Sequence, residues 1–284
     1  MSTLTASRSV AGTARRRRTR GHRSLGTGST LALGISVGWF SLLVLIPLAA
    51  VLVSAGDGGW AAFWSVVTSS QTAAAIRLTV LQSLGVTALN VAMGTALAWV
   101  LVRDRFWGRR VVDLVIDVPF ALPTIVAGLV LLALYGPGTP IGIDIANTRI
   151  AVFLALAFVT LPFVVRTVQP VLETLERDAE EAAASLGAGR WTTFRRIVLP
   201  SLVPAITAGA ALSFARAIGE YGSLVLLSGN LPNRTEVASV RILSFIENGD
   251  QAAAASVAAI LLVVSLTVIV ALDLISRRRL RHGD

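Results

Sequence analysis

Few side chains in this 284-residue chain are equipped for chemistry, and their types narrow it at once. Cysteine and lysine are absent, and the only histidines are His22 and His282. That removes thiol nucleophiles, thiolate metal sites and the phosphate-holding lysine of a P-loop. No His pair for a metal and no Ser-His pair can form within the apolar body of the chain. Carboxylates are scattered. No catalytic residue and no metal ligand is therefore assigned, and the chain is not expected to be an enzyme. Two features remain. Charges stand inside apolar runs, and one polar segment, EEAAASLGAGRWTTFRRIVLP at 180–200, lies between two such runs.

The embedded charges are Arg166, Arg216 and Glu220. Arg216 and Glu220 are four apart and would share one helix face. A span entering near Ala205 and rising 1.5 Å per residue places Arg216 roughly 16 Å deep, close to mid-bilayer. Charges there cost about 2.5–3.5 kcal/mol each on insertion scales, so they face a bundle interior or water. Two readings stand side by side. Arg216 draws an anion while Glu220 holds it or closes a gate, or the two neutralise each other and pin the helix. Gly219 and Gly222 permit close packing under both. Arg166, about two turns from the inner end of its span, either snorkels to the surface or lines a path. Asp117, Pro119 and Pro123 add a third element. Two prolines four apart remove two backbone donors, so the stretch 117–124 is bent or unwound. Such backbone is tolerated at membrane depth only against protein or a wet cavity. The alternative is a plain proline kink.

The elements that must position these residues are transmembrane helices. The chain is 54% hydrophobic and 14% charged, against about 25% charged in a soluble domain. Residues 31–55, 78–102, 118–135, 150–165 and 251–272 carry no charge, and 205–229 carries only Arg216 and Glu220. A helix needs about 20 apolar residues to span a bilayer, so the fold is all-α and polytopic with six spans. Pro47 is expected to kink the first. Trp60, Phe63 and Trp64 have helical spacing and suit a helix at the membrane interface, or a loop packed on the spans. Residues 1–30, rich in Arg, Ser, Thr and Gly, read as a disordered basic tail. The transmembrane body covers 31–276, and 277–284 is a second basic tail. All 25 basic residues are Arg, and 19 fall on one side if the N-terminus is cytoplasmic. This asymmetry puts both termini in the cytoplasm, and it accounts for the net charge of +9 better than nucleic-acid binding does.

The same topology places 173–204 in the cytoplasm. There, 175–186 is helix-prone, Gly187 and Gly189 allow a change of direction, and 191–198 forms a second short helix ended by Pro200. Small Ala182, Ala183 and Ala184 let a partner approach closely. The plain alternative is a linker. The spacing decides: Glu181-Ala182-Ala183, three residues, Gly187, nine residues, then Ile197-x-Leu199-Pro200 matches in full the EAA motif of ATP-binding-cassette importer permeases. DVPFALPTIVAGL at 117–129, LPFVVRTVQPVLE at 161–173, ALSFARAIGEYGSLVLLSGN at 211–230 and TEVASVRI at 235–242 resemble, within that family, the sulfate/thiosulfate permeases of the T-subunit kind. The resemblance covers about 35–275. Molybdate permeases share the EAA region but are less similar at 162–173. Tyr221 stands where the family more often has Phe.

The resemblance implies a type I importer permease of MetI-like architecture in a bacterial inner membrane. Glu181, Ala182, Ala183, Gly187, Ile197, Leu199 and Pro200 would couple it to an ATPase. Asp117, Pro119, Pro123, Arg166, Arg216 and Glu220 would border the path. The expected partners are a second, W-type permease subunit, two ATPase subunits that bind the ATP and Mg, and an extracytoplasmic sulfate-binding protein. The chain itself holds no cofactor and no nucleic acid, and lipid surrounds it. A molybdate or tungstate permease is the nearest alternative. A membrane anchor or receptor without transport is the alternative of a different class.

Overall fold

The computed structural model describes residues 27–139, 142–175 and 178–281. The basic tail expected over 1–30 lies outside them except for 27–30, which are helical, and 282–284 of the second tail lie outside them too. All described secondary structure is helical. The chain divides into two compact units, Met1–Leu48 and Ala49–Asp284.

The first unit holds α1 (Thr27–Phe40), a π turn (Ser41–Leu45) and the start of α2 (Ile46–Gly56). Its residues 28–48 are exposed apart from the half-buried Ser41, with Leu31, Ile35 and Trp39 more than half so. Apolar side chains without protein cover are what lipid solvates, and Gly28–Gly56 has the length and apolarity of a span. Pro47 sits within this span two residues past the π turn. A proline offers no N–H and pushes its ring at the carbonyl four residues back. Here that carbonyl belongs to Leu43, inside the π turn, where wider winding makes room.

The second unit continues through α3 (Gly59–Val67), α4 (Ser70–Arg103), α5 (Arg109–Ala121), α6 (Thr124–Tyr135) and α7 (Arg149–Thr174). Then follow α8 (Asp178–Ser185), α9 (Arg190–Thr193), a second π turn (Phe194–Val198) and α10 (Leu199–Ile218). α11 (Gly222–Leu227), α12 (Ala238–Glu247) and α13 (Gln251–Arg281) complete it. α3 is a helix, not a loop. Trp60 and Trp64 lie outward on it, while Phe63 packs on Ala55, Ala255 and Ala259.

α4, α7 and α10 form the centre. Ala98, Leu101, Val164, Val165, Val168, Leu172, Val198 and Leu202 bury one another at the end of the bundle that carries α8. Leu78, Val86, Ala151, Val152, Ala155, Leu156, Ala217 and Val237 do so at the end that carries α12. Between the clusters Asn90 Nδ2 of α4 donates to Thr160 Oγ1 of α7 at 2.8 Å and to Ser213 Oγ of α10 at 3.4 Å. Close approach is set by glycine. A Cβ at Gly94 would lie 2.9 Å from Val164 Cβ, and one at Gly209 would lie 3.0 Å from Val164 Cα.

Among the described residues, five helices are long and apolar enough to span a membrane: Gly28–Gly56, Ser70–Arg103, Arg149–Thr174, Arg190–Ile218 and Gln251–Arg277. The sixth is broken, with α5 and α6 meeting at 117°. Packing distinguishes a broken span from a loop that turns back. Val112 and Ile116 of α5 pack with Val164, Val165 and Val168 of α7. Leu131, Leu132 and Tyr135 of α6 join Ala151, Val152 and Leu156 at the other end of α7. The pair therefore traverses the length of α7 and completes the expected six. The break falls at Leu122 and Pro123, while Pro119 stays inside α5 and is buried.

α6 then packs on α11 through Gly128. A Cβ there would meet Ser223 O at 2.6 Å and Ser223 Cα at 2.9 Å. Backbone cannot rotate away as a side chain can, so Gly128→Ala is expected to destabilise by about 1–3 kcal/mol, as overpacking does. Thermal unfolding of the detergent-purified chain checks this. Gly34→Ala, with nothing within 4 Å of the added methyl, should leave the midpoint unchanged or raised.

Candidate functional site

The segment singled out at 180–200 is a built surface. α8 ends in a left-handed turn at Gly187, whose φ is +83°. Gly187 N–H bonds to Ala184 O at 3.0 Å and Ala188 N–H to Ala183 O at 3.0 Å. This paired closure is a Schellman motif, which needs a residue at positive φ one position past the cap. The glycine of the motif is thus required by backbone geometry. Gly189 is in an ordinary extended conformation, φ −70°, so the change of direction belongs to Gly187 alone.

Glu181, Ala182 and Gly187 are exposed and Ala183 is half-buried. Leu186, 88% exposed, and Trp191, 71% exposed, flank the turn. Ile197 and Leu199 are half-buried and Pro200 is exposed. One expectation is corrected here. Pro200 does not end a short helix, because winding runs unbroken from Arg190 to Ile218. The carbonyl four residues behind Pro200 belongs to Arg196, inside the second π turn, where Leu199 N–H reaches back to Phe194 O. The wide turn absorbs the proline, as at Pro47.

Behind this surface lie residues that sequence reading left out. Arg103, the last residue of α4, pairs with Glu180, and its guanidinium lies 5.6 Å from the Trp99 ring centroid. Trp99 meets Phe194 edge-on at 5.4 Å, and Phe194 stacks on Trp191 at 5.7 Å. A cleft of about 570 Å³ opens among Trp99, Arg103, Glu180, Glu181, Ala184 and Phe194. The one sequence signal was an arginine closing a charge-free run. Its partner lies 77 residues on, which spacing cannot reveal.

Arg166 is fully engaged. Nε and Nη2 grip Asp117 at 2.7 and 2.6 Å, Nη1 donates to Asp113 Oδ1 at 2.7 Å and to Gln169 Oε1 at 2.6 Å, and Nη2 donates to Asp113 O at 2.9 Å. A guanidinium has five N–H donors, and all five are in use. It clamps α5 to α7 just before the break and has no donor left for a passing anion. Asp113 therefore ranks with Asp117 as its partner.

Arg216 and Glu220 do meet, Nη2 to Oε2 at 2.6 Å, but not on one helix face. α10 ends at Ile218, and Glu220 stands in the gap before α11. Its side chain is 1% exposed, and Oε1 accepts from Ser223 N at 2.9 Å and Ser223 Oγ at 3.0 Å. Glu220 so satisfies the first turn of α11 while neutralising Arg216. The neighbouring Ala217 packs in the α12-end cluster, so the pair is displaced from mid-span toward that end. A Cβ at Gly222 would lie 2.9 Å from Ile125 N and 2.2 Å from Thr124 Oγ1. The gap at 219–221 therefore abuts the break at Pro123. The structure gathers the six residues expected to border a path into two groups: Asp117 and Arg166 at the α5 clamp, with Pro119 buried nearby on α5, and Arg216, Glu220 and Pro123 at the paired breaks.

Six helical crossings, one broken and one followed by a half-helix, with a helical knob set beyond the bundle, make this a polytopic helical membrane protein. The chain belongs to the family described as the binding-protein-dependent transport system inner membrane component, whose model matches residues 90–281. The sulfate transport system permease protein CysT of Escherichia coli (strain K12) is 41% identical over 258 residues, 88% of this chain and 93% of that protein. The protein of the same name from Synechocystis sp. is 42% identical over 257 residues, 88% of this chain and 90% of its own. Among solved structures, a chain of a bacterial alginate ABC transporter, crystallised with its alginate pentasaccharide-bound periplasmic protein, superposes with a TM-score of 0.72. It does so at 20% identity over 88% of this chain and 93% of that chain. An inward-facing MetNI methionine ABC transporter chain gives 0.55 at 18% identity over 72% and 96%. These two show the fold: the chain shares the helical architecture of those ABC transporter chains.

The geometry of Glu220 yields a test. Glu220→Gln leaves Arg216 without its counter-charge, and breaking a buried pair from one side costs about 3–5 kcal/mol. Partial exposure of Arg216 should reduce that. Removing both charges in Arg216→Met with Glu220→Gln is expected to recover part of the loss in thermal unfolding. A double variant no more stable than Glu220→Gln alone would assign Glu220 to the α11 turn only.

Proposed function

We propose that this chain is the sulfate-conducting permease subunit of an ATP-driven importer, with thiosulfate as a second cargo. The observation that carries the reading is its 41–42% identity, over nearly nine-tenths of its length, to proteins named as sulfate transport permeases. The arginine distribution supports placing both termini and α8 in the cytoplasm. Glu181, Ala182, Ala183 and Gly187 then present a knob to an ATPase subunit, which binds the ATP and Mg. A second, W-type permease completes the path, two ATPase copies dock below, and an extracytoplasmic sulfate-binding protein delivers cargo at the α12 end.

In this reading ATP-driven closure pushes the knob, and the motion enters the bundle through α7 and the continuous Arg190–Ile218 helix. The path passes the paired breaks. Discontinuous helices commonly frame substrate sites in membrane proteins, with helix N-termini toward anions. Arg216 supplies attraction that Glu220 keeps weak enough to release a dianion. The clamp at Arg166 shapes the wall and does not bind cargo. Selection rests mainly with the binding protein, because no cluster of free donors cages sulfate among the described residues.

Radiolabelled sulfate uptake in cells with and without this subunit, with molybdate as competitor, tests the reading. Uptake should require the subunit and resist molybdate; subunit-dependent uptake of molybdate instead would reassign the cargo. Gly187→Trp should abolish uptake while membrane insertion stays intact, since its φ disfavours any side chain and the bulk blocks the knob.

A further inference from the structure

The knob is held to the bundle by more than its own chain. α8 packs on α9 and the second π turn. A polar tie also joins it to the spans, Glu180 to Arg103, the last residue of α4, far away in sequence. Arg103 is 11% exposed, and its Nε is buried without a hydrogen-bond partner. Its guanidinium lies 5.6 Å from the Trp99 ring centroid, and Trp99 leans on Phe194 of the π turn, which stacks on the exposed Trp191. Two contacts of different chemistry thus run from the knob to one end of α4, an ion pair from α8 and an aromatic relay from the π turn. Both cross the cleft beneath Glu181.

We propose that Arg103 and Glu180 are positioning residues that make α4 a third driven element, moving with the knob alongside α7 and α10. The inference rests on the importer reading and deepens it. A knob attached only through α7 and α10 would shear past α4 as those helices swing. With Glu180 held by a half-sheltered guanidinium, a push on α8 displaces the end of α4 in the same stroke. The Asn90 bonds to Thr160 and Ser213 then carry it to the centre of the bundle. Glu181 is exposed and free to face the ATPase, so the paired glutamates divide the labour: Glu180 faces inward to α4 and Glu181 outward.

The test uses the whole complex in proteoliposomes and reads sulfate taken up per ATP hydrolysed. Arg103→Glu and Glu180→Arg should each lower that ratio by about tenfold, within the range for contacting pairs, while ATP hydrolysis persists. The exchanged double variant should restore most of it. Single variants with normal ratios, or an exchange that restores nothing, would overturn the proposal.

Since the chain has no cysteine, Arg103→Cys with Glu180→Cys gives a second measurement that does not depend on reversed charges. A short bis-methanethiosulfonate crosslinker, which joins the two thiols through disulfides with loss of methanesulfinate, should raise the ratio toward wild type, and cutting those disulfides with a reductant should lower it. A crosslink without effect, or one that stops transport, would mean α4 does not travel with the knob. Wild-type complex that moves no sulfate would count against the importer reading instead.

Discussion

Everything in this bundle answers to the scarcity of hydrogen-bond partners in a bilayer. A helix may break there only where protein covers the freed backbone. The chain breaks inside one span, at Leu122 and Pro123, and again at 219–221 just past another, and each break is set against the other. Gly222 lies where any side chain would strike Thr124 and Ile125, and Gly128 lies where one would strike the backbone of Ser223. Glu220 then takes the first donors of α11, and Ser239 Oγ donates to Glu220 O at 2.7 Å. Two weak points in sequence become one covered junction, and α12 is anchored to it.

The charges embedded in the spans follow the same logic. Arg166 is surrounded by acceptors until no donor is spare, and this fixes α5 before the chain turns by 117°. Arg216 keeps part of its side chain exposed and is paired with Glu220. The first arginine is therefore architecture with every donor committed, whereas the second keeps part of its side chain open to its surroundings. Distance from the membrane surface does not distinguish them; the number of committed donors does.

Much of this was legible in the residues. Charge-free runs marked the crossings, and the prolines at 119 and 123 foretold a break, since a missing N–H is a local fact. The spacing of Glu181, Ala182, Ala183 and Gly187 marked the knob because a Schellman closure is itself local. What escaped was non-local or register-dependent. Nothing in the sequence shows that a π turn will precede Pro200 and let the helix run on. A four-residue spacing said Arg216 and Glu220 share a helix face, yet Gly219 ends α10 between them, and the pair forms across the gap instead. Asp113 and Arg103 gained their roles only when helices distant in sequence were brought together.

The knob shows how a fold can hold a surface ready for another protein. α8 is only eight residues long, too short to be stable alone in water. Its C-terminus is locked by the Gly187 closure, and Glu180 is anchored on Arg103. That fixation holds Leu186 and Trp191 in the open, 88% and 71% exposed. Apolar side chains of that size are normally turned inward when the backbone is free to choose. Here the backbone is not free, because the glycine turn and the aromatic stack on Phe194 set their direction. Exposure maintained by so many constraints suits the proposed docking face. The same constraints would let such a face transmit force, since a surface that yields locally when pushed would move nothing behind it.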